Sequence, residues 1–345
     1  MNALKHISKL LKIYYIRMKY ILSFLLFFLT IPILYSQTKE PTGKVFTEIF
    51  TNFHYSIKDS LGTTGFGIER AFLGYTYAPG NNFSATVIIN AGDPSDVADG
   101  SEPRRYVHLR EAFINYTKDK LSINLGISKT LMADYQQRFH GKRYLADTYQ
   151  TLNCVGFVSD LGLAVNYKFS EVLSADVTLM NGKGFSNLQS DNNLKSSLGF
   201  YITPTNTLVF RIFGDIIKKE QLWQSTVLGF AGFKNERISV GAEVLYKNNF
   251  DIIEGNDLWG FSGVGSLVLS EKTEMFMRYD HTTSTISDDS HLPWNILKDS
   301  DFLIAGFQYT FNTNLKIAFN YQGTTPESHE VQKTSAFYVN ALFKF

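Results

Sequence analysis

The chain has 345 residues, with 33 Lys+Arg, 32 Asp+Glu, a formal charge of +1, one cysteine, 25 Gly, 29 Phe and 19 Tyr, and only 8 Pro. The balanced charge excludes the strongly basic character that a nucleic-acid partner would require, and the lone Cys154 excludes an internal disulfide. Abundant glycine and aromatic residues with little proline favour extended strands joined by tight turns.

The first element in chain order is an apolar run, Tyr20 to Leu34, preceded by Lys19 and followed by Tyr35-Ser36-Gln37. It reads as a secretory signal peptide over 1–36, cleaved after the small residue Ser36. Residues 1–17 are basic, and Met18 offers an equally good start. The apolar core, about fifteen residues, is shorter than the roughly twenty a spanning helix needs. Its removal leaves 28 Lys+Arg against 32 Asp+Glu, a charge near −4. No cysteine follows the run where a lipoprotein would be acylated.

From residue 44 onward the apolar residues alternate with period two almost to the end, which predicts an all-β chain. Sixteen strands are predicted: 44–57, 65–78, 83–91, 106–117, 120–129, 154–169, 172–181, 195–203, 207–216, 225–234, 237–247, 258–269, 273–283, 300–311, 314–323 and 333–345. Their connections alternate between short ones, such as 118–119, 235–236 and 312–313, and longer ones, such as 92–105, 130–153 and 285–299. A meander with short turns at one end and long loops at the other predicts a transmembrane antiparallel β-barrel, its short turns in the periplasm and its long loops outside the cell. An even strand count returns both termini to the periplasm.

Within one strand the faces divide cleanly. Leu121, Ile123, Leu125 and Ile127 share one side, and Ser122, Asn124, Gly126 and Ser128 the other. A soluble sandwich shows the same division, so the aromatic residues decide. Tyr75, Tyr77, Tyr116, Tyr167, Phe169, Tyr309, Phe311, Phe343 and Phe345 all fall just before a short turn or the C-terminus. Rings at one level form an interfacial girdle. The last strand, 333–345, is then the closing strand, and its apolar alternation ending in Phe345 resembles the signal read by the bacterial barrel-assembly machinery.

Sixteen strands enclose a lumen too wide for side chains alone to fill, so function is sought in inward residues and the longest loop. The alternation turns Arg70, Lys168, Arg211 and Arg278 inward, with Glu111, Asp176, Asp215, Glu243 and Asp280. Such a mixed wall either selects among permeating ions or stiffens the barrel through ion pairs. The connection 130–153 concentrates Arg138, His140, Lys142 and Arg143 among four aromatics, a composition suited to folding into the barrel, narrowing it and favouring anions. The alternative is a solvated outer loop.

Several stretches in order, "REAFINY" (110–116), "LSINLGISKT" (121–130), "SDLGLAVNYKF" (159–169), "LMNGKG" (179–184), "MRYDH" (277–281) and "DFLIAGFQYTFNTNLKIAFNYQ" (301–322), give the chain a resemblance to outer-membrane porins related to the phosphate-selective porins, in the diverged form common in Bacteroidetes-type bacteria. The resemblance implies a sixteen-stranded, trimeric porin in the outer membrane of a Gram-negative bacterium. The dense ladder of arginine and lysine found in phosphate-selective members does not map onto this sequence.

The function expected is passive diffusion of small hydrophilic solutes with a mild anion preference, in contact with outer-membrane lipid and lipopolysaccharide and with no cofactor. A plugged barrel acting through its outer loops is the alternative. An enzyme would need an activated nucleophile, whereas His54, His108, His140, His281, His291 and His329 are scattered and Gly-x-Ser-x-Gly is absent. The acidic stretch "DPSDVADG" (93–100) lacks the terminal Glu of a calcium loop, so no metal site is expected.

Overall fold

The computed structural model describes residues 40–58, 61–92, 106–286 and 292–345. The signal peptide read over 1–36 and the acidic stretch 93–100 lie outside the described residues.

Sixteen strands form the chain: β1 (Thr42–Lys58), β2 (Leu61–Gly80), β3 (Phe83–Gly92), β4 (Val107–Lys118), β5 (Leu121–Lys129), β6 (Ser159–Lys168), β7 (Leu173–Met180), β8 (Lys195–Ile202), β9 (Leu208–Lys219), β10 (Leu222–Lys234), β11 (Ile238–Asn248), β12 (Leu258–Val268), β13 (Thr273–Ser284), β14 (Ser300–Thr310), β15 (Leu315–Pro326) and β16 (Thr334–Lys344). Each pairs antiparallel with its neighbours, and β16 returns to β1 to close the barrel. Closure leaves no sheet edge unpaired, the condition for a sheet to sit in hydrocarbon. The last residue completes the seam: Phe345 and Thr47 exchange both backbone hydrogen bonds at 3.2 Å.

The predicted faces are realised. Val227, Val244, Met277, Phe319 and Phe337 are each more than half exposed on the outer face, whereas Leu228, Leu245, Arg278, Ala318 and Ala336, one position along, are buried inside. At the short-turn end the outward rings pack in pairs, Tyr167 with Phe169 at 4.9 Å, Tyr309 with Phe311 at 4.7 Å and Phe343 with Phe345 at 6.4 Å. This is the aromatic belt of one interface.

Three details differ from the sequence reading. The strand predicted from 154 begins at Ser159, because Val155 turns back to bond Gln150 and is buried in the lumen. β9 and β10 extend until only residues 220–221 join them, so one long-loop position holds a tight hairpin, with Glu220 at φ 56°. Inside the connection after β5 lie two short helices, α1 (Asp134–His140) and α2 (Tyr149–Leu152). They are too short to impose a helical apolar period on the sequence, and buried contacts hold them in place.

Candidate permeation pathway

The connection 130–158 runs inside the barrel. α1 ends at Gly141, whose φ of 63° and hydrogen bond to Gln137 turn the chain back across the lumen. Phe139 packs edge-to-face on Phe230 at 5.2 Å, within a core that includes Leu228 and Leu245 of the wall and Tyr149 and Val155 of the loop. A second core gathers Tyr144 and Leu145 with Phe276, Ile304, Ala318, Leu342 and Phe50. The loop is therefore held against β9–β16 and β1 by burial of apolar surface, the strongest non-specific force available to it.

Polar contacts fix its register. Glu243 accepts hydrogen bonds on a single carboxylate oxygen from Gln136 (2.9 Å) and Gln150 (2.8 Å), all three side chains being buried. Tyr144 donates to Gln308 at 2.8 Å, and Tyr149 pairs with Thr282 at 3.0 Å. Wall cations reach loop carbonyls: Arg211 to Leu131, Lys247 to Val155, Arg278 to Asp147 and Lys234 to Phe139, at 2.6–3.1 Å.

These contacts account for most of the inward charges named from the sequence. Arg211 and Asp176 form a fully enclosed pair at 2.7 Å, with the guanidinium stacked on Tyr201 at 3.9 Å. Asp215 pairs with Lys195 at 2.9 Å, Arg278 with Asp280, and Arg70 with Asp147 at 3.6 Å. Lys168 points to the periplasmic mouth, where it holds Glu171 at 2.6 Å and keeps that turn carboxylate below its usual range. Glu111, 4.0 Å from Arg110, borders the open space described below.

The four basic residues of the loop part company. Arg138 is the exposed one, and it pairs with Asp134 at 2.8 Å. Lys142 is spent on Glu274 at 2.6 Å, and burial still pushes its ammonium below the usual range. Arg143 pairs with Asp147, while its Nε and second terminal nitrogen are buried without partners among the described residues. Half-buried against the wall, His140 is pushed down to about 3, first by burial and then by Arg278, Lys142, Arg143 and Lys234. It is neutral at physiological pH.

A group the sequence reading left out lies at the periplasmic end. Glu274, Lys142, Lys344 and Lys234 all act electrostatically on Lys316, and Glu274 is itself paired with Lys142. Among the described residues neither Lys234 nor Lys316 has a carboxylate within 4 Å. The signal was available, since Lys316 stands on the polar face of an alternating strand.

The loop leaves the lumen open on the opposite side. A space of about 540 Å³ separates α1 from the wall of β4–β8, and others of about 450 and 580 Å³ adjoin it through Tyr201, Thr203 and Tyr135. A closed barrel with an apolar outer band, an aromatic belt and a polar interior is an outer-membrane β-barrel of the Gram-negative type. A loop folded into its lumen gives it the architecture of a porin.

Comparison with solved structures agrees. The barrel of OmpF from Salmonella typhi, solved with daunomycin, superposes with a TM-score of 0.64 at 11% identity, covering 88% of this chain and 97% of that one. An anion-selective porin from Comamonas acidovorans gives 0.62 at 12% identity over 89% and 100% of the two chains. OmpT of Vibrio cholerae gives 0.59 at 13% over 91% and 100%. No protein-family model and no curated protein sequence matches. At these identities the likeness is one of fold.

Proposed function

We propose that the protein is an outer-membrane porin through which small hydrophilic solutes diffuse passively, related to the phosphate-selective porins as the sequence resemblance suggests. The observation that carries this reading is the in-folded loop 130–158 beside an unfilled space of about 540 Å³, which favours a narrowed lumen over a plugged one. The process has no chemical step and draws on no cofactor. Residues 1–36 serve as the export signal, Phe345 as the assembly signal, and three copies associate in lipid and lipopolysaccharide.

The proposal includes a mild anion preference, and its support has shifted from the 138–143 cluster to the periplasmic lysines. Three of the loop cations face carboxylates and His140 is neutral, whereas Lys234 and Lys344 act on Lys316 with no carboxylate of their own among the described residues, Glu274 being held by Lys142. Rings of like charge at a pore mouth raise the local concentration of counter-ions. Reversal potential in a salt gradient tests it. Changing Lys234, Lys316 and Lys344 to Gln abolishes the preference on this account, and an unchanged reversal potential refutes it.

A further inference from the structure

The chamber between α1 and the wall of β4–β8 has a chemistry of its own. Phe113, Tyr135 and Tyr201 bring three aromatic rings to it, with Tyr135 and Tyr201 set 5.0 Å apart at 48°. Asn124, Asn166 and Ser174 line the same space. Asn124 spends its oxygen on Asn115 at 2.7 Å, which leaves its amide N–H groups to the chamber. Neither Asn166 nor Ser174 makes a side-chain hydrogen bond among the described residues.

The charges bordering the chamber cancel. Lys129 and Arg138 both hold Asp134, at 2.7 and 2.8 Å, and Glu111, 4.0 Å from Arg110, is the second carboxylate beside these two cations in the lining. An ion of either sign therefore gains little from the net field here. A solute with an apolar face and a rim of neutral hydroxyls gains more. Its C–H groups meet the negative faces and edges of rings, and its hydroxyls meet side chains that both donate and accept. The volume of about 540 Å³ falls in the range of small-molecule sites, about 300–1,000 Å³.

We propose that this chamber is a binding station for an uncharged polyhydroxylated solute, a mono- or disaccharide, on its way through the pore. The proposal rests on the porin reading and names its substrate class. Passage then has two parts with different chemistry: a neutral, ring-lined chamber beside α1, and a lysine-rich periplasmic exit.

The test is a titration of single-channel current with glucose and with maltose, on the wild-type protein and on Asn166→Leu and Tyr135→Ala, with folding checked by heat-modifiable mobility. The expected result is saturable block of the wild-type current. The half-blocking concentration rises about tenfold in either variant, the loss of one or two hydrogen bonds or a ring contact. A wild-type current that falls only in proportion to solution viscosity, without saturation, overturns the sugar site and leaves the pore standing. Wild-type barrels that fold and pass no current overturn both.

Discussion

The ring of Phe139 lies over Gly241 of the barrel wall, where a Cβ would come within 2.9 Å of it, and Gly232, the partner of Gly241 across β10 and β11, opens the same hollow. These glycines make the socket into which the loop plugs the Phe139 ring. Gly241→Val overfills it, and overpacking of this kind costs about 1–3 kcal/mol. The expected outcome is a folded barrel with a looser loop and a larger, noisier single-channel conductance. A conductance equal to the wild type contradicts the socket.

Glu243 gathers Gln136 and Gln150 of the loop on one oxygen. Glu243→Leu leaves two buried amides without an acceptor, and each such group costs about 1–3 kcal/mol. Amide hydrogen exchange over 134–152 is expected to quicken while the strands stay protected. Equal protection of the loop in the variant would show that apolar packing alone holds it.

His140 supplies a pH dependence. Its folded-state pKa, about 3, lies below the unperturbed value of about 6.5. Between those values the undocked loop binds a proton that the docked loop refuses, so docking weakens as pH falls from about 6.5 towards 3. Protease cleavage within 134–152 is expected to rise at pH 4.5 relative to pH 7.5, and His140→Asn flattens the difference. A pH profile that the substitution leaves unchanged assigns the effect elsewhere.

The barrel was legible in the sequence because its rule is local. Period-two alternation, as in Leu315, Ile317, Phe319 and Tyr321, states which residues meet lipid, and the rings before each turn state where lipid ends. Asp176, Arg211, Asp215, Glu243, Arg278 and Asp280 are buried, and Lys168 reaches the turn carboxylate of Glu171. Their tasks were not legible. Arg211 answers to Leu131, and Glu243 to Gln136 and Gln150, partners far off in the chain that meet only when the loop enters the lumen. The basic cluster misled for the same reason: a loop read in isolation shows Lys142 and Arg143 as free charges, while the folded barrel supplies Glu274 and the loop's own turn supplies Asp147. Gly232, Gly241 and Gly260 looked like ordinary strand glycines, yet Cβ atoms there would intrude on Phe139 and Tyr149.

Phe345 closes the seam through its paired hydrogen bonds with Thr47 and packs near Phe343 at the rim. Deleting it removes both bonds and the terminal ring. The folded fraction recovered from the outer membrane is expected to fall several-fold, while detergent refolding of the purified chain changes less. Equal losses in both assays would assign Phe345 to stability rather than to recognition by the assembly machinery.

The central claim is that the loop 130–158 narrows an open lumen. Single-channel conductance of the protein in planar bilayers, compared with a variant in which residues 133–153 are replaced by a short Gly/Ser linker, tests it most directly. The account predicts stable openings for the wild type and several-fold larger ones for the variant. A silent wild type with a conducting variant would contradict it, and would make the loop a plug and the protein a binding barrel.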